Sequence, residues 1–190
     1  MSPANIDRFR AHFHIPSDVG IKLLPKDANP EDYDAADGVV FPLIAIPEGG
    51  LRFPLSPLLR EAMSFWGLCP HQFIGNFYRV VSCVEALNRL LGLCLGFSAL
   101  RHCYMLSPSS SKNHKRYWLR VRAGHDRLIH AFPKSSKHVD QVFVRVTGNW
   151  EGHVDGDGFG RVPTVSGDEP GEPFLQTSRV PRFLLRLTDF

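Results

Sequence analysis

Several features of catalytic, secreted and membrane proteins are missing from this sequence. No two cysteines form a C-x-x-C pair, no G-x-S-x-G motif occurs, and no apolar run approaches the roughly 20 residues that cross a bilayer. These absences argue against a zinc ribbon, against the hydrolases that present serine on that motif, and against a membrane-spanning helix. The first residues, Met1 to Asp7, contain neither a basic residue nor an apolar run, so we expect no secretion signal.

Cysteine is scarce as well, with four residues in a chain of 190. Two of them, Cys83 and Cys103, fall at apolar positions of predicted helices, where a thiol behaves as a small hydrophobic side chain. Unpaired cysteines are typical of a reducing compartment. We therefore expect an intracellular protein, without distinguishing nucleus from cytoplasm.

Candidate metal sites fail on spacing. No common zinc framework has the intervals found between Cys94, His102, Cys103 and His114. Asp155 and Asp157 resemble part of a calcium loop, but Ser166 stands where the closing glutamate of that loop would be. We predict neither a metal nor another cofactor.

Charge is distributed unevenly along the chain. The formal net charge is only +3, but residues 112–145 hold nine Lys and Arg against two Asp, while the remainder has 13 basic and 17 acidic residues. A basic segment of this kind suits an anionic partner, and it is equally compatible with a solvated basic face.

Length and composition favour one packed domain. A chain of 190 residues with 43% hydrophobic content can bury one sizeable core. We predict a single domain over 1–150 and a Gly/Pro-rich tail over 151–190, because 151–172 has too few apolar residues to order itself. Within the tail, the apolar segment 182–187 is expected to dock on the domain or form a short helix.

The clearest structural signal is the start of a helix at Ser56 and Pro57. A serine oxygen accepts from the free N–H groups of a first helical turn, proline is tolerated at the first helical position, and Gly67 suits a left-handed end. We predict a helix over 57–66. Apolar residues at three- and four-residue spacing predict two more, over 71–91 and 98–106, with Ser98 capping the last.

Beyond residue 115 the apolar pattern changes from helical to alternating. Residues 116–122 and 141–147 alternate with a period of two, and a shorter apolar run lies at 128–132. Residues 17–38 predict a loop with short extended pieces, and Pro42 marks 39–46 as an edge strand or irregular segment. The predicted fold is α+β, with central helices (57–66, 71–91, 98–106) packed against a small antiparallel sheet (116–122, 128–132, 141–147).

The candidate binding residues come from the polar positions of these strands and from nearby loops. Alternation places on one outward face the residues Arg116, Trp118, Arg120, Arg122, Phe143 and Arg145, with Lys134 and Lys137 in adjacent loops. Arginine neutralises phosphate and an aromatic face stacks on unpaired bases, which predicts RNA or single-stranded DNA as a partner. The same pattern arises if Trp118 and Phe143 are covered by helices or by the C-terminal segment and the arginines fringe that contact.

An ordered set of short motifs resembles a known family. The set comprises residues 50–59, 67–70 and 132–137, with Gln72, Asn76, Arg79 and Trp150. Together they resemble the plant gypsy-type transposase domain over about 13–150. The resemblance implies a retrotransposon-derived protein from the structural, gag side of such an element. Members often precede long coiled coils, whereas this chain ends in a short Gly/Pro-rich tail.

Strand transfer itself is not predicted, despite the name of that family. Two-metal phosphoryl chemistry needs carboxylates held close together, and the acidic residues here lie in the proline-rich loop and the tail, while the strands carry arginine. We therefore predict a non-catalytic structural or nucleic-acid-associated protein. The alternatives are a hydrolase-like enzyme using His and Cys brought together by folding, and a capsid-like module that assembles as a homo-oligomer.

Overall fold

The structure is a computed structural model that describes residues 3–33, 38–109, 116–129, 142–152, 161–167 and 170. Within these residues the α-helices are α1 (Pro3–His12), α2 (Pro57–Trp66), α3 (Gly75–Leu91) and α4 (Phe97–Cys103). The strands within them are β1 (Val19–Leu23), β2 (Gly38–Pro42), β3 (Tyr104–Pro108), β4 (Tyr117–Val121) and β5 (Phe143–Gly148). The predicted α+β class is confirmed.

Helix α2 has the bounds that the sequence predicts. The Ser56 hydroxyl accepts from the backbone N–H of Leu59, and Pro57 occupies the first helical position. Gly67 ends the helix in the left-handed conformation, with φ of 64°.

Helix α3 begins four residues later than predicted. Pro70–Gln72 form a separate 3-10 turn, in which the Gln72 side chain accepts from the backbone N–H of Cys69. Phe73 is then extended and forms a bridge with Tyr117 of β4. Pairing with a distant strand thus takes precedence over the helical pattern at the start of this segment.

Helix α4 ends three residues earlier than predicted. It begins after Gly96 rather than at a Ser98 cap, and Tyr104 continues directly into β3. Residues 104–106, expected to be helical, instead pair with residues 119–121 of β4. Strand pairing again overrides a local helical pattern.

The strands form two sheets instead of the single predicted one. Strand β5 is central in an antiparallel sheet of order β1-β5-β2, while β4 pairs with β3 in a separate two-stranded sheet. Alternation identified β4 and β5 but did not identify their partners. Of the predicted strand at 128–132, residues 128 and 129 form a bend, and 130–132 lie outside the described residues.

Strands β1 and β2 flank β5. Strand β1 lies in a segment that the sequence indicated as loop, and Val19 within it is fully buried. Strand β2 is an edge strand, as Pro42 indicated, because proline cannot donate to a sheet.

The core lies between the helices and the two sheets. Phe73 and Phe77 stack with ring centroids 4.0 Å apart, and α2 packs against α3. Val162, which we assigned to the tail, is buried in the same core, so part of 151–190 packs on the domain. The expected docking segment 182–187 lies outside the described residues. Within the described chain, every helix is too short or too polar to cross a bilayer.

Candidate nucleic-acid interface

The predicted binding residues lie in two different sheets. Trp118 and Arg120 belong to β4 in the two-stranded sheet, whereas Phe143 and Arg145 belong to β5 in the three-stranded sheet. Arg145 stands opposite Lys22 on one side and Val40 on the other. The prediction of one continuous outward face is therefore wrong. Lys134 and Lys137 lie outside the described residues.

Phe143 and Arg116 are buried, contrary to the prediction that both face solvent. Phe143 is only 3% exposed and packs with Leu24 and Val40 in a small second apolar cluster. The guanidinium carbon of Arg116 lies 5.2 Å from the Phe143 ring centroid, which is cation–π geometry. These two residues join the start of β4 to β5 and have a structural role.

Arg122 also makes hydrogen bonds within the fold. Its Nε donates to the carbonyl oxygens of Arg101 at 2.8 Å and Tyr104 at 3.2 Å. Those carbonyls lie at the C-terminal end of α4, where a cation is favourable. The guanidinium thus ties β4 to α4.

Trp118 and Arg120 remain accessible. Trp118 is half-buried and Arg120 is exposed, with its guanidinium 3.4 Å from the sulfur of Met105. Their neighbours Tyr117 and Leu119 point to the other face of β4 and are buried, as alternation predicts.

A groove of about 340 Å³ lies beside these two residues. Its apolar walls come from Trp118, Tyr104, Val80 and Ile129, and two arginines line it, Arg120 and Arg127. Both arginines are exposed. The groove therefore combines aromatic surface with two cationic groups.

Strand β3 pairs with one edge of β4, and residues Ile74 and Asn76 bond to the other edge beside the groove. The backbone N–H of Ile74 donates to the carbonyl of Tyr117 at 3.0 Å. Next along the edge, the Asn76 amide donates to the Leu119 carbonyl at 2.9 Å and accepts from its N–H at 3.3 Å. Asn76 thereby fixes the distance between α3 and β4.

Of the nine described residues that line the groove, seven were not predicted as site residues, among them Tyr104 and Arg127. Tyr104 was placed in a helix, but it begins β3, where its hydroxyl accepts from the backbone N–H of Ile129 at 3.4 Å. Arg127 was counted in the basic segment, but its approach to Trp118 depends on the turn after β4. The sequence signal for Arg127 was the high density of basic residues in its segment. That density does not indicate which way a side chain points.

A histidine pair lies next to the end of β4. The rings of His102 and His125 have centroids 4.4 Å apart and are nearly perpendicular. Partial burial is the main cause that lowers the pKa of His102, and repulsion from His125 and Arg122 adds to it. Both rings are partly exposed.

The hydrolase alternative has one relevant contact. The Ser166 hydroxyl lies 3.1 Å from Nε2 of the buried His71, a distance that suits a nucleophile and its base. The next residue, Gly167, is held by two hydrogen bonds to the Gln72 amide. The contact is therefore part of a polar junction between 161–167 and the 3-10 turn.

The cysteine thiols and the potential metal-binding side chains give little support to the hydrolase alternative. Burial raises the pKa of the Cys83 and Cys103 thiols, which keeps them protonated and weakly nucleophilic. Among the residues that the structure describes, no three metal-binding side chains come together.

Comparisons with known proteins do not add a functional assignment. No protein-family model, no curated protein and no solved structure matches this chain.

Proposed function

We propose that this chain is a non-catalytic protein that binds single-stranded nucleic acid in the groove beside Trp118. The retrotransposon-derived, gag-side origin implied by the family resemblance is part of the proposal. The observation that carries it is the combination of the Trp118 side chain with two exposed arginines in one groove. Aromatic stacking and cationic neutralisation are the two requirements of single-strand binding.

The dimensions of the groove support a base as its occupant. Its volume of about 340 Å³ is at the small end of ligand sites, which span roughly 300–1,000 Å³. A base held inside a duplex cannot enter a groove of this kind, because its faces are covered by neighbouring bases. An unpaired base exposes both its faces and its edges. Single-stranded RNA or DNA is therefore the favoured partner.

The charges on the groove support a phosphate beside that base. Arg120 and Arg127 are exposed, and the surrounding segment 112–145 has a large basic excess. Neutralised phosphates release counterions, so each contact with a single strand contributes about −0.7 to the slope of log affinity against log salt. Binding is expected to weaken steeply with salt.

The hydrolase alternative is supported by the Ser166–His71 distance alone. A serine that acts as nucleophile must reach a substrate carbonyl, and His71 is buried while the neighbouring Gly167 is hydrogen-bonded to Gln72. Labelling of Ser166 by a fluorophosphonate would favour the enzyme over the binding protein.

The test is fluorescence anisotropy with a single-stranded RNA oligonucleotide and its duplex. Trp118→Ala removes the stacking surface, which is worth about 1–3 kcal/mol per base, so affinity should fall roughly 5- to 150-fold. Trp118→Phe should retain most of it. Arg120→Glu should also reduce the salt slope.

A matched control is Arg89→Glu, because Arg89 is exposed at the far end of α3. This change alters net charge as Arg120→Glu does, without touching the groove, and should have a much smaller effect. Equal losses in both charge variants, or duplex binding as tight as single-strand binding, would contradict the proposal.

A further inference from the structure

A group of three basic side chains lies beyond the groove, at the end of β4. It consists of Arg122 and the histidine pair His102 and His125. Val121, the residue before Arg122, lines the groove, and His125 is two residues before the groove residue Arg127. A strand of nucleic acid leaving the groove along β4 therefore meets this group.

We propose that Arg122, His102 and His125 form a phosphate-binding subsite that tightens nucleic-acid binding as the pH falls. The inference rests on the proposed function, because it places the next phosphate of a strand whose base occupies the groove. It adds a phosphate-binding position and a dependence of binding on pH, neither of which the groove alone provides.

The geometry leaves part of Arg122 available for a phosphate. Its Nε is used by the carbonyls of Arg101 and Tyr104, which hold the side chain in place. Its two terminal nitrogens make no hydrogen bond to any residue in the described part of the chain. A guanidinium held in this way can donate to a phosphate with little further loss of side-chain entropy.

The titratable residues that neighbour the histidine pair along the chain are mostly cationic or neutral. They are Arg101 and Cys103 on α4, Tyr104 on β3, Arg122 on β4, and Asp126 and Arg127 in the following loop. Asp126 is the only acid among these six. Its exposed carboxylate interacts weakly through solvent, so a bound phosphate would be the dominant negative charge at the subsite.

The sign of the pH effect follows from linkage. Without ligand, the pKa of His102 is lowered by partial burial and by repulsion from His125 and Arg122, so the ring is neutral at pH 7. A phosphate next to the ring favours its protonated form and raises that pKa. Affinity is therefore greatest below the pKa of the free protein and decreases as the pH rises through the pKa of the complex.

The experiment measures affinity for single-stranded RNA as a function of salt at about pH 7.5 and about pH 5.5. In the wild type, protonation of His102 should steepen the log–log salt slope by about 0.7. The variant His102→Asn with His125→Asn should show a much smaller change of slope with pH.

The control is His12→Asn with His14→Asn, which removes two exposed histidines near the end of α1. Asparagine tolerates the positive φ of 52° at His14. This variant should keep the full pH effect. A wild-type slope that does not change with pH, or an equal change in the His102/His125 variant, overturns the inference but leaves groove binding intact. If the protein binds the RNA at neither pH, the proposed function itself is overturned.

NMR titration of the histidine ring protons gives a second readout. The pKa of His102 should rise when the oligonucleotide is added, and the Trp118→Ala protein should need a correspondingly higher oligonucleotide concentration for the same rise. An unchanged pKa in a wild-type complex that does bind would also overturn the inference.

Discussion

Asn76 and Leu119 exchange two hydrogen bonds, one in each direction, although 43 residues separate them. The side-chain amide of Asn76 offers a donor and an acceptor in the arrangement of a neighbouring strand, so it completes the edge of β4 with a helical residue. Both residues line the groove. This contact therefore links the stability of the fold to the shape of the candidate site.

Replacing Asn76 by leucine should destabilise the protein. The variant leaves the N–H and carbonyl of Leu119 without their partner, and a buried unpaired polar group costs about 1–3 kcal/mol. Urea unfolding should show a loss in this range. Asn5→Leu, on the exposed side of α1, should change stability by less than about 0.5 kcal/mol. Equal stabilities of the two variants would show that Asn76 does not hold β4.

Glu48→Gln should also destabilise the protein. Arg79 is only 5% exposed, forms a salt bridge with the Glu48 carboxylate and donates from Nε to the Glu48 carbonyl at 3.2 Å. Breaking a buried pair costs about 3–5 kcal/mol, and the partial exposure of Glu48 reduces the expected loss to about 2 kcal/mol. Thermal and urea unfolding measure it.

The control for this prediction is Glu31→Gln, which removes an exposed carboxylate from a 3-10 turn. Its stability should remain within about 0.5 kcal/mol of the wild type. A similar small change for Glu48→Gln would show that Arg79 finds equivalent partners without the carboxylate.

Three polar residues explain what could and could not be predicted from the sequence. Gln72, Asn76 and Arg79 contribute to the family resemblance, and each bonds a segment distant in sequence: Gly167, Leu119 and Glu48, which lie 95, 43 and 31 residues away. Their spacing along the chain is visible in the sequence. Their partners are not, because no local periodicity encodes contacts across such separations.

Local signals were sufficient where local interactions determine the structure. Helix α2 has the predicted bounds because its cap, its first proline and its terminal glycine all act within the segment. The site was predicted less well, since alternation gives the face of a strand but not its neighbour. Phe143 was therefore expected in solvent, yet it packs against the Arg116 guanidinium. Arg127 lines the groove because of the turn after β4, whose direction the sequence did not predict.

The stability of the protein should depend on Glu85 in a pH range above pH 4.5. Burial raises the pKa of this carboxyl above 4.5, although the Ser56 hydroxyl, which donates to it, and Arg89 act in the opposite direction. A raised pKa in the folded state means that the contribution to stability is fully present below the unfolded pKa and is lost as the pH rises through the folded pKa.

Glu85→Gln tests this dependence, because glutamine keeps an acceptor for Ser56 and carries no charge. Relative to the wild type, the variant should gain stability as the pH rises from about 4.5 to about 7, and the two proteins should differ least at the acid end. Urea unfolding at a series of pH values measures the difference. A difference that is constant with pH would show that the carboxyl is not desolvated.

The apolar stripe of α3 should contribute to stability only in its first part. The sequence continues the stripe to Leu91, but Leu90 and Leu91 are 80% and 58% exposed, whereas Val84 is fully buried. Val84→Ala removes two buried methyl groups and should cost about 2 kcal/mol. Leu90→Gln and Leu91→Gln should each cost less than about 0.5 kcal/mol. A large loss of stability in Leu90→Gln or Leu91→Gln would contradict the exposure of these two residues.

Light scattering on the same variants tests the capsid-like alternative. If copies of the chain associate through this end of α3, either glutamine should reduce the scattering mass. Val165→Gln, at a separate residue that is 71% exposed, should leave the scattering mass unchanged.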